Sequence, residues 1–165
     1  MSNKNMKKIL SVLILTVTVA IGCSSSKKTA AANSAASVTS KASEDLAFEY
    51  TAITRGNYKK VIVNSSAVLL TSAPTARPVK YDIKAADWKA MVNFYEKNIV
   101  AKGVNLENLE VPSKKHQYDG ALAATLMVKS GDTITTPTFD HGNPPAEIKV
   151  LVDEIVRLAG LETKE

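Results

Sequence analysis

Two histidines, a single cysteine and a carboxylate next to one of the histidines are the side chains here with the greatest capacity for chemistry. Asp140 and His141 sit in the run Phe139-Asp140-His141-Gly142-Asn143-Pro144-Pro145. A carboxylate beside an imidazole can orient it as a general base or as a ligand. Turn and cap chemistry accounts for the same run differently. Asp140 suits a turn acceptor, Gly142 a residue of positive φ, Asn143 a helix cap and Pro144 a first helical residue. That reading explains every residue except His141. Zinc would need His116 and His141 to converge with Asp119 or Asp140, and no HExxH or paired CxxC spacing supports such a set. Neither a metal nor any other cofactor is expected.

The remaining polar candidates read mainly as structure. Asp119, in Tyr118-Asp119-Gly120, could meet a cationic ligand group or pair with Arg55 on a neighbouring loop, and the pairing is favoured. Lys114-Lys115-His116 reads as solvated loop charge. Glu107/Glu110 and Asp153/Glu154 read as exposed carboxylates, and Trp88 as packing of its own helix. No GxSxG, GxGxxG or P-loop is present. No catalytic set emerges, so an enzyme is not expected. The candidate binding residues are Arg55, Asp119, Asp140 and His141.

The cysteine points to a different chemistry. Lys4, Lys7 and Lys8 precede an apolar run from Ile9 to Ile21, then Gly22-Cys23 and the polar Ser24-Ser25-Ser26-Lys27-Lys28. A charged start, an apolar middle and a small residue before the cut describe a secretory leader. The fourteen residues Ile9–Gly22, at about 1.5 Å each, reach roughly 21 Å, short of the roughly 30 Å hydrocarbon core. Ala20-Ile21-Gly22-Cys23 resembles the lipobox of bacterial lipoproteins, with Ala20 and Ile21 in place of the commoner Leu and Ala/Ser. The resemblance implies a thiol that takes a diacylglycerol before residues 1–22 are removed, and hence a permanent lipid anchor. The sole cysteine can form no intramolecular disulfide. Ser24 is not the aspartate that retains some lipoproteins at the inner membrane. An outer-membrane protein facing the periplasm is therefore expected, with the bilayer as its first partner.

Charge excludes a further class. The chain carries a formal +5, but from Glu44 onward 15 Lys and Arg stand against 16 Asp and Glu, a net −1. The basic excess lies in the leader and in residues 23–43, a Ser/Ala/Thr segment with too little apolar surface to fold, read as a flexible tether. No basic stripe with interleaved aromatics remains, so nucleic acid is not an expected partner. Residues 44–165 are read as one domain.

Positioning falls to elements of two periods. Leu46, Phe48, Tyr50 and Ala52 alternate as a half-buried strand, and Arg55-Gly56-Asn57 turns into a second strand, Tyr58–Asn64. Asn64-Ser65-Ser66 turns into a third over 67–72, and Val79–Ile83 makes an edge strand after Pro74 and Pro78. Trp88, Met91, Val92, Tyr95 and Ile99 share one helical face, with Gly103 as the stop. Tyr118–Lys129 and Thr133–Phe139 form a hairpin around Ser130-Gly131-Asp132. A last helix starts at Pro144 and ends near Gly160, with Ile148, Leu151, Val152, Ile155, Val156 and Ala159 as its stripe. The ββββαββα order predicts an α+β domain, an antiparallel sheet with two helices packed on one face.

With Arg55-Gly56-Asn57-Tyr58, Tyr118-Asp119-Gly120-Ala121 and Phe139–Pro145 in view, the chain resembles a group of small uncharacterised lipoproteins of flavobacteria-like bacteria, over residues 46–160. More distantly its element order is similar to emfourin-type inhibitors of thermolysin-like metalloproteases, with Arg55-Gly56 and Asp119 as the aligned residues. The expected function is a non-catalytic binding or interaction domain of the cell envelope. The alternatives are a proteinaceous inhibitor of a thermolysin-like protease, implied by the second resemblance, and an enzyme using Asp140-His141.

Overall fold

A computed structural model describes residues 45–161. The leader, Cys23 and the tether lie outside the described residues, which belong to one compact unit. Period-two burial builds its centre. Strand β1 (Ala47–Thr54) pairs antiparallel with β2 (Asn57–Asn64), from Ala47 opposite Asn64 to Thr54 opposite Asn57. The two residues between them, Arg55 and Gly56, make the turn, and Gly56 takes φ +83°, a conformation open to glycine at no steric cost. Asn64 makes the next turn, its Oδ1 accepting from Ser66 N and Ala67 N at 2.9 and 3.0 Å. Strand β3 (Ala67–Thr71) and the fully exposed β4 (Val79–Tyr81) complete this side.

The chain then leaves the sheet as helix α1 (Ala85–Tyr95), which widens into a π-helix over Glu96–Val100. It returns as β5 (Ala123–Ser130), β6 (Asp132–Thr135) and β7 (Phe139–Asp140), followed by helix α2 (Lys149–Leu158). The sheet runs β4-β3-β2-β1-β5-β6, with β7 also on β5 and every pairing antiparallel. The expected α+β fold, with its ββββαββα order and two helices, is the observed one.

The core lies on the face that β1 turns toward the helices. Phe48, Tyr50 and Ala52 stand beside Val63 and Val61 of β2 and Val128, Leu126 and Ala124 of β5, all fully buried. Helix α1 seals one end of this face, Phe48 meeting Trp88 at 5.8 Å and Tyr95 edge-on at 5.5 Å between ring centroids. Helix α2 contributes Leu151, Val152 and Ile155, with Ile148 ahead of it and Ala159 behind, five of the six residues in the expected stripe.

The expected edge strand Val79–Ile83 stops at Tyr81, and three boundaries differ from expectation by more. The expected strand Thr133–Phe139 is two strands, β6 and β7, because Pro137 has no N–H to give to the ladder. Thr136 bridges the break: its N donates to Leu126 O at 2.9 Å, and its Oγ1 accepts from Leu126 N at 3.1 Å. Tyr118 does not open a strand. It closes a 3-10 turn, Lys115–Tyr118, capped by Asp119 at φ 57°. Helix α2 starts at Lys149 rather than Pro144. A residue ahead of a proline is steered away from helical ψ, and Pro144-Pro145 does this twice in succession.

Candidate functional site

Strand alternation decides which of the polar residues meet. Phe139 and Asp140 are consecutive in β7, opposite Ala124 and Ala123, and His141 N extends the ladder to Leu122 O at 2.9 Å. Successive side chains on a strand point to opposite faces. Phe139 and His141 therefore turn toward the helix side, and Asp140 turns away.

On its own side Asp140 is a hub. Its carboxylate is 3% exposed and accepts four hydrogen bonds from one short segment. Ser113 Oγ donates to Oδ2, and Lys115 N donates to the same oxygen at 2.9 Å. His116 gives Oδ1 both its backbone N–H at 2.7 Å and its ring Nδ1–H at 2.6 Å. Burial alone would push this carboxyl up, but the bonds from Ser113, His116 and Lys115 outweigh it and hold it well below the usual carboxylate range. Asn143 extends the network, its Nδ2 donating to Ser113 Oγ at 3.0 Å. The side chain expected to cap α2 thus braces the hub instead.

The bond to Asp140 assigns the tautomer of His116. A carboxylate can only accept, so Nδ1 carries the proton, and whenever the ring is neutral Nε2 is the lone-pair acceptor. The His116 side chain is 10% exposed and lines a cleft of about 560 Å³. Leu109, Val111 and Pro137 give that cleft apolar walls, and Glu110 and Lys114, both exposed, stand at it. Among the described residues Nε2 has no hydrogen-bond partner, yet no buried side-chain polar atom is left unsatisfied. Nε2 is therefore reached by solvent, on a residue that lines the cleft.

His141 has a separate partner on the helix side. Its Nδ1 lies 2.6 Å from Tyr50 Oη, with ring centroids 5.9 Å apart. Burial, and then the positive charge of Lys59, push the His141 pKa below its ordinary value. The ring is neutral at pH 7 and Tyr50 donates to it. Burial, with the Asp153 charge adding to it, raises Tyr50, so the phenol stays protonated as that donor.

The sequence-based candidates are therefore scattered. Asp140 orients His116 and not His141, so the alternative in which Asp140 orients its neighbour is not the observed arrangement. Arg55 lies in the exposed β1–β2 turn and Asp119 in an exposed left-handed cap, and no ion pair joins them. The convergent set that zinc would require is not assembled: among the described residues no three His, Cys, Asp or Glu are grouped to hold a metal ion. Sequence reasoning missed His116, Ser113 and Tyr50. Lys114 and Lys115 are the solvated charges expected of that loop, but His116 is drawn inward by a carboxylate 24 residues away. Nothing local in the sequence marks that partnership.

A second carboxylate is buried on the open face of the sheet. Glu49, 7% exposed, meets Lys60 at 2.7 Å and Lys129 at 2.9 Å on the two flanking strands. Burial opposes its charge, and the two ammonium groups outweigh burial and lower its pKa. This is cross-strand pairing that ties β2, β1 and β5. No helix among the described residues is long and apolar enough to cross a membrane. No family model matches the chain, and no curated protein and no solved structure is similar to it at a significant level.

Proposed function

We propose that this chain is a non-catalytic binding domain held at the cell envelope by acyl chains on Cys23. The observation that carries the binding reading is the Asp140 hub. Four donors from residues 113–116 converge on one buried carboxylate, which holds a loop rigidly against a sheet edge and leaves a cleft beside it. A wall fixed before the ligand arrives reduces the ordering entropy that binding must overcome. Both oxygens of Asp140 are already taken by the chain's own donors, which suits a scaffold role better than proton transfer. The anchoring part rests on the basic and apolar leader, Gly22-Cys23 and the polar stretch behind it.

Feeding cells an alkyne-bearing fatty acid tests the anchor. The intact protein takes the label and sediments with envelopes, whereas Cys23→Ser is unlabelled and loses that attachment. Label retained by Cys23→Ser would refute it. Crosslinking in intact envelopes followed by detergent extraction tests the binding part. A partner or ligand should be recovered in a fixed ratio to the protein, and Asp140→Asn should reduce that yield at least several-fold. Yield unchanged by the substitution would remove the hub from the account.

A further inference from the structure

Given a binding-domain role, the lining of the cleft beside His116 bears on what enters it. Three kinds of surface meet there. In its neutral form His116 presents an Nε2 lone pair from a side chain only 10% exposed, held in place by Asp140. Glu110 adds a carboxylate and Lys114 an ammonium group, Leu109, Val111 and Pro137 are apolar, and Gln117 and Thr138 complete the lining with neutral polar groups. The volume, about 560 Å³, lies within the usual range for small-molecule sites, roughly 300–1,000 Å³.

Each simpler ligand leaves part of this lining unmatched. A simple anion would meet Lys114 but face the Glu110 carboxylate. A metal ion would find one imidazole and one carboxylate, with the Lys114 cation nearby and no use for the apolar walls. A neutral apolar molecule would make no use of the two charges, which would stay in solvent. A ligand that carries both charges on an apolar body matches all three surfaces.

We propose that this cleft binds a small zwitterion of amino-acid or dipeptide type with an apolar side chain. Its ammonium donates to His116 Nε2 and Glu110, its carboxylate meets Lys114, and its side chain packs on Leu109, Val111 and Pro137. Hydrogen bonds to charged partners orient such a ligand, and the apolar wall supplies area. His116 and His141 are the only histidines in the chain, so two imidazole NMR signals report on two separate places.

The test is a titration of the full-length protein, in detergent, with leucine, methionine, phenylalanine and the dipeptide Ala-Leu. N-acetyl-leucine and leucinamide, each lacking one charge, and zinc alone are the comparison ligands. At least one zwitterion should shift the His116 signals saturably and leave those of His141 in place. Removing either ligand charge should weaken binding tenfold or more. Glu110→Gln and Lys114→Gln, exposed positions that do not disturb the core, should each do the same. Glu107→Gln, on the 3-10 turn Leu106–Asn108, should change nothing. No saturable shift with any zwitterion would overturn the proposal, as would N-acetyl-leucine binding as well as leucine. Zinc alone shifting His116 where the zwitterions do not would also overturn it. A partner captured from envelopes by a protein that binds no zwitterion would end this inference and leave the binding-domain reading standing.

Discussion

Asp140 and His141 show how strongly one residue's direction governs its role. Asp140 is an anion kept inside the protein by four donors. Removing it leaves those donors, one of them an imidazole, without their acceptor. Asp140→Ala should cost about 3 kcal/mol in urea denaturation, the scale of leaving buried hydrogen-bond donors without their charged acceptor. Its pKa is depressed in the fold, so its contribution is complete above the unfolded value near 3.9 and is lost as pH falls below it. Stability of the parent should drop on acidification below about pH 4, and Asp140→Asn should flatten that part of the curve. A parent whose denaturation midpoint is constant from pH 5 to pH 2 would contradict this. His141 acts in a higher window. Its folded pKa also lies below the unfolded one, so stability present above about pH 6.5 is lost as pH falls through that value. His141→Gln should remove that earlier loss and leave the Asp140 step intact.

At the scale of elements, the decisive features are interruptions. Pro137 breaks the last long strand, and Thr136 repairs the ladder with its side chain by accepting from Leu126 N at 3.1 Å. Thr136→Val keeps the shape and removes the acceptor, leaving a buried N–H unpaired. The expected loss is about 1–3 kcal/mol, read as a lowered midpoint in denaturant with faster amide exchange at Leu126. Unchanged exchange there would show that the hydroxyl does not carry the bond. The Pro144-Pro145 pair acts on α2 in the same way. It delays the helix to Lys149 and frees His141-Gly142-Asn143 to form a tight turn, in which Asn143 N donates to Asp140 O at 2.8 Å and Gly142 takes φ +86°. That turn brings Asn143 to Ser113 and completes the hub.

For the whole molecule, one sheet face covered by two helices makes one cooperative unit. Trp88, the only tryptophan, packs on Phe48 from α1, so its fluorescence reports on the joint between helix and sheet. Residues 44–165 should unfold in a single transition, with Trp88 fluorescence and far-ultraviolet circular dichroism giving coincident curves. Separated transitions would show that the helix layer and the sheet come apart independently. Leu126→Ala, at the centre of β5, should lower stability by about 2–5 kcal/mol without separating the two curves.

Composition and spacing alone determined the class of fold and most of its elements, because burial imposes its period on the sequence directly. Phe48, Tyr50 and Ala52 announce a strand, and Leu151, Val152 and Ile155 a helix, before any contact is known. Glycine positions did the same for turns at Gly56 and Gly142, since a positive φ is a local demand. Tertiary structure alone decided the site. Asp140 and His141 are neighbours in the chain and face opposite sides of a strand, while His116, 24 residues away, supplies the ring that Asp140 holds. Side-chain partnerships of this kind depend on register and on which segment closes over an edge. Those are set by the whole sheet rather than by any local run of residues.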